Sequence, residues 1–287
     1  MRLVRRLLLS IAAGLSTLFT ACAWHGPRSV DHLYAPDEVH IIGHRGAREL
    51  APENTLAGFR VPADLGYGFE LDVMLSSDGV CVVIHDDELD RTTSGTGFVD
   101  EVPWSTIQTL DAGTHFATRF AGEPVPDLST VLVEFGSKVV IDIEIKSPRD
   151  KSTRAALAAA VVGEVERAAL VDRVLITSFD PFLLEEVRLA NAEIRRGQLL
   201  GSFTGADLSF VEKYVLKNLL LNKRAQPDVL AAESAFLSAG YVRRMHKKGY
   251  RVLAWTVNDE AEMRELASWG VDGLITDRPD VATEVLR

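Results

Sequence analysis

The sequence predicts an α/β fold on a parallel barrel or sheet, and three observations carry the prediction. Short apolar runs recur along the chain, and several stop at charged residues: Val39 to Ile42 before His44-Arg45, Val80 to Ile84 before His85-Asp86, and Val139 to Ile145 before Lys146. Such runs read as buried strands, and a parallel barrel collects its functional groups at the C-terminal ends of its strands. Segments of helical pattern separate the runs. The length of 287 residues suits one such domain, since α/β barrels of about 250 residues fold as single units.

The first segment reads as a targeting signal outside the fold. Arg2, Arg5 and Arg6 form a positive stretch, and Leu7 to Phe19 is mostly apolar but too short to span a bilayer comfortably. Leu18-Phe19-Thr20-Ala21-Cys22 resembles a bacterial lipobox. Cleavage before Cys22, with lipid on its sulfur, makes residues 1–21 a lipoprotein signal peptide; the alternative is an ordinary signal peptide with Cys22 incidental. Cleavage removes three arginines and takes the formal charge from −10 to −13. Residues 22–37, with Gly26, Pro27 and Pro36 and no periodicity, read as a tether to a domain spanning 38–287. Ala23 replaces the Asp that favours inner-membrane retention, so the expectation is an exported envelope lipoprotein, anchored through Cys22 in the outer membrane.

Val39 to Ile42 is the first strand, stopped at Gly43. Gly46 and Pro52 keep the chain irregular up to Asn54-Thr55, and Thr55 to Leu65 follows as a helix that Pro62 disturbs. In the strand Phe69 to Val73, Glu70 and Asp72 lie two apart and face one side. The turn Ser76-Ser77-Asp78-Gly79 leads directly into Val80 to Ile84. A parallel crossover needs about a dozen residues, so these two runs pair as antiparallel neighbours or one leaves the regular pattern. Arg91 to Gly97 is a polar, glycine-rich loop, either plain surface or the lip of a pocket, without the lysine of a nucleotide phosphate loop. Asp100 to Val131 is irregular with short helical pieces, a modest insertion after the third strand.

Asp142, Glu144 and Lys146 share one face of the strand Val139 to Lys146. The alanine-rich Thr153 to Leu170 is a helix. Val174 to Phe179, Ile194 to Leu200, Val229 to Glu233, Val252 to Val257 and Gly273 to Asp277 complete the strands. Asp207 to Leu221 is amphipathic, serving the core or a lipid-sensing flap. Ala239 to Lys248 and Asp259 to Trp269 are helices, the second with an acidic first turn that suits the helix dipole. In an eight-stranded barrel, nine strand candidates put one outside the ring.

The polar strand ends suit an anionic substrate. Arginine is a permanently charged fork for phosphate or carboxylate, and histidine moves a proton near neutral pH. Carboxylates as close as Glu70 and Asp72 are costly unless a cation sits between them. His44-Arg45-Gly46, Pro52-Glu53-Asn54-Thr55, Glu70-Leu71-Asp72, His85-Asp86, Glu144-Ile145-Lys146 and Trp255-Thr256-Val257-Asn258 occur in the order seen in the glycerophosphodiester phosphodiesterase family. The chain resembles that family from about Ile41 to Pro279.

The resemblance narrows the fold to a (β/α)8 TIM-type barrel, phosphodiesterase-like, and implies hydrolysis of glycerophosphodiesters to sn-glycerol 3-phosphate and an alcohol. It implies Glu70, Asp72 and Glu144 as ligands of one divalent cation, Mg²⁺ or Ca²⁺ by the hardness of their oxygens. His44 and His85 would be the acid–base pair, and Arg45 and Lys146 would hold the phosphoryl group. The attacking oxygen would come from water or from the neighbouring glycerol hydroxyl. Trp255 would wall the glycerol end or serve as a plain core aromatic. Glu53 and Asn54 would stand behind the ligands, and Asp142 would be solvated or do the same.

With 41 Asp and Glu against 31 Lys and Arg, a nucleic-acid partner is not expected, because its backbone would be repelled. The expected partners are a small diester and, through the lipid, a membrane. Two cysteines make no disulfide framework, and Cys81 reads as a small buried hydrophobe. Two rival functions remain: a lysophospholipase D-like diesterase acting on acyl-bearing substrates, and a surface lipoprotein that binds a partner and keeps a vestigial site.

Overall fold

The computed structural model describes residues 25–201 and 219–287. The expected signal peptide, Cys22 and all but the last residues of the helix expected over Asp207 to Leu221 lie outside that range. Nine strands are described: β1 (His40–Gly43), β2 (Gly68–Leu75), β3 (Cys81–Val83), β4 (Ile141–Ile145), β5 (Val174–Ser178), β6 (Arg195–Leu200), β7 (Val229–Glu233), β8 (Arg251–Trp255) and β9 (Gly273–Thr276). β1 pairs in parallel with both β2 and β9, which closes an eight-stranded parallel barrel. β3 is the ninth strand; it lies antiparallel on β2, with Val83 opposite Val73, outside the ring. The short connection after β2 therefore makes a local hairpin, the one geometry it has the length for.

Helices cover the outside: α1 (Leu56–Asp64), α2 (Trp104–Ile107), α3 (Leu128–Phe135), α4 (Arg154–Arg167), α5 (Pro181–Ala190), α6 (Asn222–Ala225), α7 (Ala239–His246), α8 (Glu260–Trp269) and α9 (Pro279–Val285). Side-chain caps fix several starts. Thr55 accepts from Gly58 N at 3.1 Å, Asp127 from Thr130 N at 2.8 Å and Asp259 from Glu262 N at 3.0 Å. Pro62 falls in the last turn of α1, so its missing N–H ends the helix rather than breaking it. No helix among the described residues is long and apolar enough to cross a membrane.

Alternation along the strands separates two environments. Phe69, Leu71 and Val73 of β2, Ile141, Ile143 and Ile145 of β4, and Val174 and Ile176 of β5 pack outward with α3, α4 and α5. The opposite faces line the interior, where Ile42, Leu175, Leu199, Val229, Ala231, Leu253 and Ile275 form a separate cluster. The same alternation turns Glu70, Asp72, Asp142 and Glu144 inward, and the β2–β4 register sets Asp142 beside Glu70 and Glu144 beside Asp72. Residues 84–127 after β3 form the expected insertion. It has a small core of its own, with Leu89, Val99, Ile107 and Val125 buried against Met74 and Val82.

Residues 25–37, expected as part of a tether, are instead folded onto the barrel. Val30, Leu33 and Tyr34 are buried in the interior cluster and plug the floor at the N-terminal ends of the strands. Arg28 holds the buried Asp228 with two side-chain bonds of 3.1 and 2.7 Å. The segment carries no periodicity that would mark it as part of the domain; its three apolar side chains enter a cavity that the strands, not the segment, define.

Candidate active site

The chain after β1 turns so sharply that glycine is required on both sides of His44-Arg45. A Cβ on Gly43 would lie 1.9 Å from Gly46 O, and Gly46, at φ +90°, packs against the backbone of Gly58. Arg45 and Asn54 also have positive φ, at 49° and 57°. Both are held by the site: Asn54 N donates to Arg45 O at 3.0 Å, and Arg45 N donates to Glu70 Oε2 at 2.8 Å. Left-handed backbone outside glycine costs about 1–3 kcal/mol and persists where the surroundings over-determine it.

Glu70, Asp72 and Glu144 converge as expected, each offering an oxygen within 4.8 Å of the others. Asn54 grips the middle one reciprocally, donating to Asp72 Oδ2 at 2.9 Å while its Oδ1 accepts from Asp72 N at 3.2 Å. Burial, and then the Asp72 and Glu144 charges, push the Glu70 carboxyl well above the usual range. Burial opposes ionisation of Asp72 too, but Lys146, His85 and Arg45 hold it below the ordinary value.

The two cations expected to hold phosphate are engaged with these carboxylates. Lys146 Nζ lies 2.8 Å from Glu144 Oε1 and 3.4 Å from Asp72 Oδ1, and Arg45 Nε lies 3.4 Å from Asp72 Oδ2. Burial opposes the Lys146 charge, yet Glu144 and Asp72 raise its pKa above the ordinary lysine value. Arg45 Nη1 donates to Glu53 at 2.9 Å. Glu53 also accepts from Arg48 at 3.2 Å and twice from Arg91, at 2.9 and 2.8 Å. Burial pushes the Glu53 carboxyl up, but Arg91 and Arg45 win and hold it far below the carboxylate range.

His44 and His85 stand at the same rim, each tied through Nδ1 to a carboxylate. His44 Nδ1 is 2.6 Å from Asp277 Oδ1, just past β9, and His85 Nδ1 is 2.6 Å from Asp86 Oδ1. Asn258 donates to Asp277 Oδ2 at 2.7 Å and accepts from Asp277 N at 2.9 Å. Burial holds the His85 imidazole below its ordinary pKa against the opposing pull of Asp72. Hydrogen bonds from Arg91, against some burial, bring the Asp86 carboxyl down to about 2. Ionised partners accept only, so each of these bonds calls for a hydrogen on Nδ1.

Trp255 ends β8, donates from Nε1 to Ala231 O at 3.1 Å and meets Phe179 edge to face at 5.6 Å. A Cβ on Gly201 would touch its ring at 3.1 Å. Of the two places expected for Asp142, in solvent or behind the ligands, the first is excluded. It is fully buried beside Glu70 in the strand register, accepts from Thr177 Oγ1 at 2.8 Å, and burial raises its pKa to about 8. Asp86 and Asn258 stand in the sequence only as members of motifs, with no role of their own, and Asp277 and Arg91 carry no expected role there. Asp277 and Asn258 each follow a strand end, the position that identified the others; Arg91 lay in the loop read as surface or pocket lip.

A parallel barrel with carboxylate-backed imidazoles and guanidinium groups at its C-terminal rim, and three carboxylates placed where they could hold a metal ion, has the parts of a hydrolase for anionic esters. The model of the glycerophosphoryl diester phosphodiesterase family matches residues 44–281, and the chain belongs to that family. It is 33% identical over 252 residues to a glycerophosphodiester phosphodiesterase of Caldanaerobacter subterraneus subsp. tengcongensis, covering 86% of this chain and 97% of the relative. Among solved structures, that of a glycerophosphodiester phosphodiesterase from Agrobacterium tumefaciens str. C58 is 30% identical with a TM-score of 0.71, covering 86% of this chain and 100% of that one. An Oleispira antarctica phosphodiesterase, solved in complex with the product sn-glycerol-3-phosphate, is 28% identical with a TM-score of 0.73, covering 86% and 96%. The protein is accordingly an enzyme, a glycerophosphodiester phosphodiesterase.

Proposed function

We propose that the enzyme hydrolyses glycerophosphodiesters to sn-glycerol 3-phosphate and an alcohol by acid–base catalysis through His44 and His85. The observation that supports this reading most is the pair of imidazoles with Nδ1 fixed by Asp277 and Asp86, set at the rim that holds three carboxylates within 4.8 Å of one another. One Nε2 takes the proton from the attacking oxygen as its bond to phosphorus forms. The other gives a proton to the leaving oxygen as its bond to phosphorus breaks, so the alcohol departs neutral. Arg45 and Lys146 flank the phosphoryl position with positive charge, and Trp255 walls its side.

The donor set fits a hard divalent cation. It consists of carboxylate oxygens alone, and Asp72 Oδ1 is buried with no hydrogen-bond partner. Glu70, Asp72 and Glu144 would hold Mg²⁺ or Ca²⁺, which when bound supplies charge stabilisation at a phosphoryl oxygen. Asn54 orients Asp72 and Glu53 orients Arg45. We further propose that the chain is an envelope lipoprotein anchored through Cys22, on the strength of the apolar stretch that ends at Cys22.

The test is an assay of protein stripped by chelator and reloaded with Mg²⁺ or Ca²⁺, offered glycerophosphocholine, glycerophosphoethanolamine and lysophosphatidylcholine. Cation-dependent release of glycerol 3-phosphate from the deacylated diesters is expected. Turnover of the lyso-lipid alone would replace this reading with the acyl-bearing one.

A further inference from the structure

The point at which the chain enters the folded domain lies at the end of the barrel opposite the active site. Tyr250 OH donates to His25 O at 2.6 Å, and His25 N donates to Asn222 Oδ1 at 2.7 Å. Tyr250 immediately precedes β8, and Asn222 lies in α6 before β7, so both mark the floor. Cys22 is three residues from His25, and three residues reach at most about 11 Å. The histidines and the carboxylate triad lie at the other ends of the strands, which at five residues are about 16 Å long.

The same corner of the floor carries a concentrated positive charge. α7 finishes with Arg243, Arg244 and His246 in its last turn, and Lys247 and Lys248 follow directly. Arg243, Arg244, Lys247 and Lys248 are exposed. Pro27 packs over the next residue, Gly249, where a Cβ would come within 3.2 Å of Pro27 Cγ. Cations near a helix C-terminus complement its dipole, but α1, α3, α8 and α9 carry no basic residue in their last turns. No ion pair with a described residue engages Arg243, Arg244 or Lys247 at 4 Å or less. In a chain with a formal charge of −10, four exposed cations beside the point of attachment are a local reversal of sign.

We propose that Arg243, Arg244, Lys247 and Lys248 form a membrane-facing surface for anionic phospholipid head groups, which holds the barrel floor-down on the bilayer with its catalytic rim toward the aqueous phase. Several acyl chains on Cys22 would hold the chain at the membrane, and basic residues beside the anchor are drawn to anionic head groups and set which face meets them. The orientation rests on the lipoprotein reading and deepens the proposed function, because a rim held a barrel's height above the head groups receives water-soluble, deacylated diesters.

The experiment uses the full chain processed in a bacterial host and reconstituted in vesicles of phosphatidylcholine alone or mixed with phosphatidylglycerol. Fluorophores are placed at Glu193→Cys on the floor and at Glu260→Cys on the rim, with a head-group quencher in the lipid. Stronger quenching at position 193 than at 260 is expected; equal quenching, or stronger quenching at 260, overturns the orientation. In vesicles containing phosphatidylglycerol, the fourfold variant R243E/R244E/K247E/K248E is expected to lose most of the difference in quenching between positions 193 and 260. An unchanged difference overturns the role of the cluster. Turnover of soluble glycerophosphocholine by the variant reports folding, and its absence in the parent protein would fail the proposed function without touching the quenching result.

Discussion

His44 Nδ1 lies 2.6 Å from Asp277 Oδ1 across 233 residues of sequence, because β1 and β9 are neighbours where the barrel closes. Asn258, three residues past the end of β8, holds the other Asp277 oxygen. Burial disfavours the Asp277 charge, but the bonds from His44 and Asn258 keep it below the ordinary carboxylate value. Asp277→Asn keeps the shape but removes the charge and leaves one acceptor oxygen for two donors, His44 Nδ1 and Asn258 Nδ2, so the His44 proton is no longer fixed on Nδ1. The expected result is a fall in kcat of roughly 10²–10⁴-fold with KM little changed, the range lost when a general acid or base is disabled. Steady-state kinetics on glycerophosphocholine check it; a loss confined to KM would assign Asp277 to substrate binding instead.

Glu70→Gln separates charge from shape at the carboxylate cluster. Its Oε2 accepts from Arg45 N, a bond that the glutamine oxygen can keep. Loss of one of three buried like charges is expected to leave the chelated protein as stable as the parent or more so. The parent should gain stability on addition of Mg²⁺ or Ca²⁺, about 2.7 kcal/mol at a hundredfold excess over Kd, and the variant should gain little. Thermal melts of both proteins with and without cation decide it, and equal gains would remove Glu70 from the ligand set.

How much of this could be read beforehand follows the range of each interaction. Period-two spacing placed Glu70 with Asp72, and Glu144 with Lys146, on single faces, because alternation is local. The length of the loop after β2 narrows β3 to an antiparallel hairpin or a departure from the regular pattern, and the pairing of Val73 with Val83 decides for the hairpin. The partners of the imidazoles divide along the same line: Asp86 is adjacent to His85 and was quoted in its motif, whereas Asp277 reaches His44 only through barrel closure. Helix α5 was missed although Asp180-Pro181 offers a cap followed by proline at the first helical position. The Glu53–Arg91 pairing depends on a loop of the insertion folding back over the rim, which no spacing encodes.

Glu53 is the hub for Arg45, Arg48 and Arg91, and it has a side-chain exposure of only 6%. Glu53→Gln leaves guanidinium groups without their counter-charge and is expected to cost roughly 3 kcal/mol of stability. The pH dependence has a fixed sign. The folded-state pKa of Glu53 is depressed below its ordinary value of 4.5, so its contribution is present above about pH 4.5 and is lost as pH falls through the lower folded value. Urea midpoints measured from neutral pH downward should therefore fall less steeply for the variant than for the parent. Parallel curves would mean that Glu53 is not ionised by its arginines as the geometry requires.

Asp142 has the opposite sign. It is enclosed by the interior with Oδ2 unpartnered, and the buried Tyr34 hydroxyl above the floor also lacks a hydrogen-bond partner. Burial raises the Asp142 pKa from 3.8 to about 8, so at neutral pH the unfolded chain ionises this group and the folded chain does not. That difference favours unfolding: it is absent below about pH 3.8, grows as pH rises, and levels off above about 8. Asp142→Asn keeps an oxygen for the Thr177 hydroxyl and removes the titration. The variant is expected to be more stable than the parent by roughly 1–4 kcal/mol at pH 7, with the advantage shrinking toward pH 4. Paired urea titrations across that interval measure it. A constant advantage at every pH would trace the effect to packing, and a loss at pH 7 would show that the carboxylate is ionised and partnered in the folded protein.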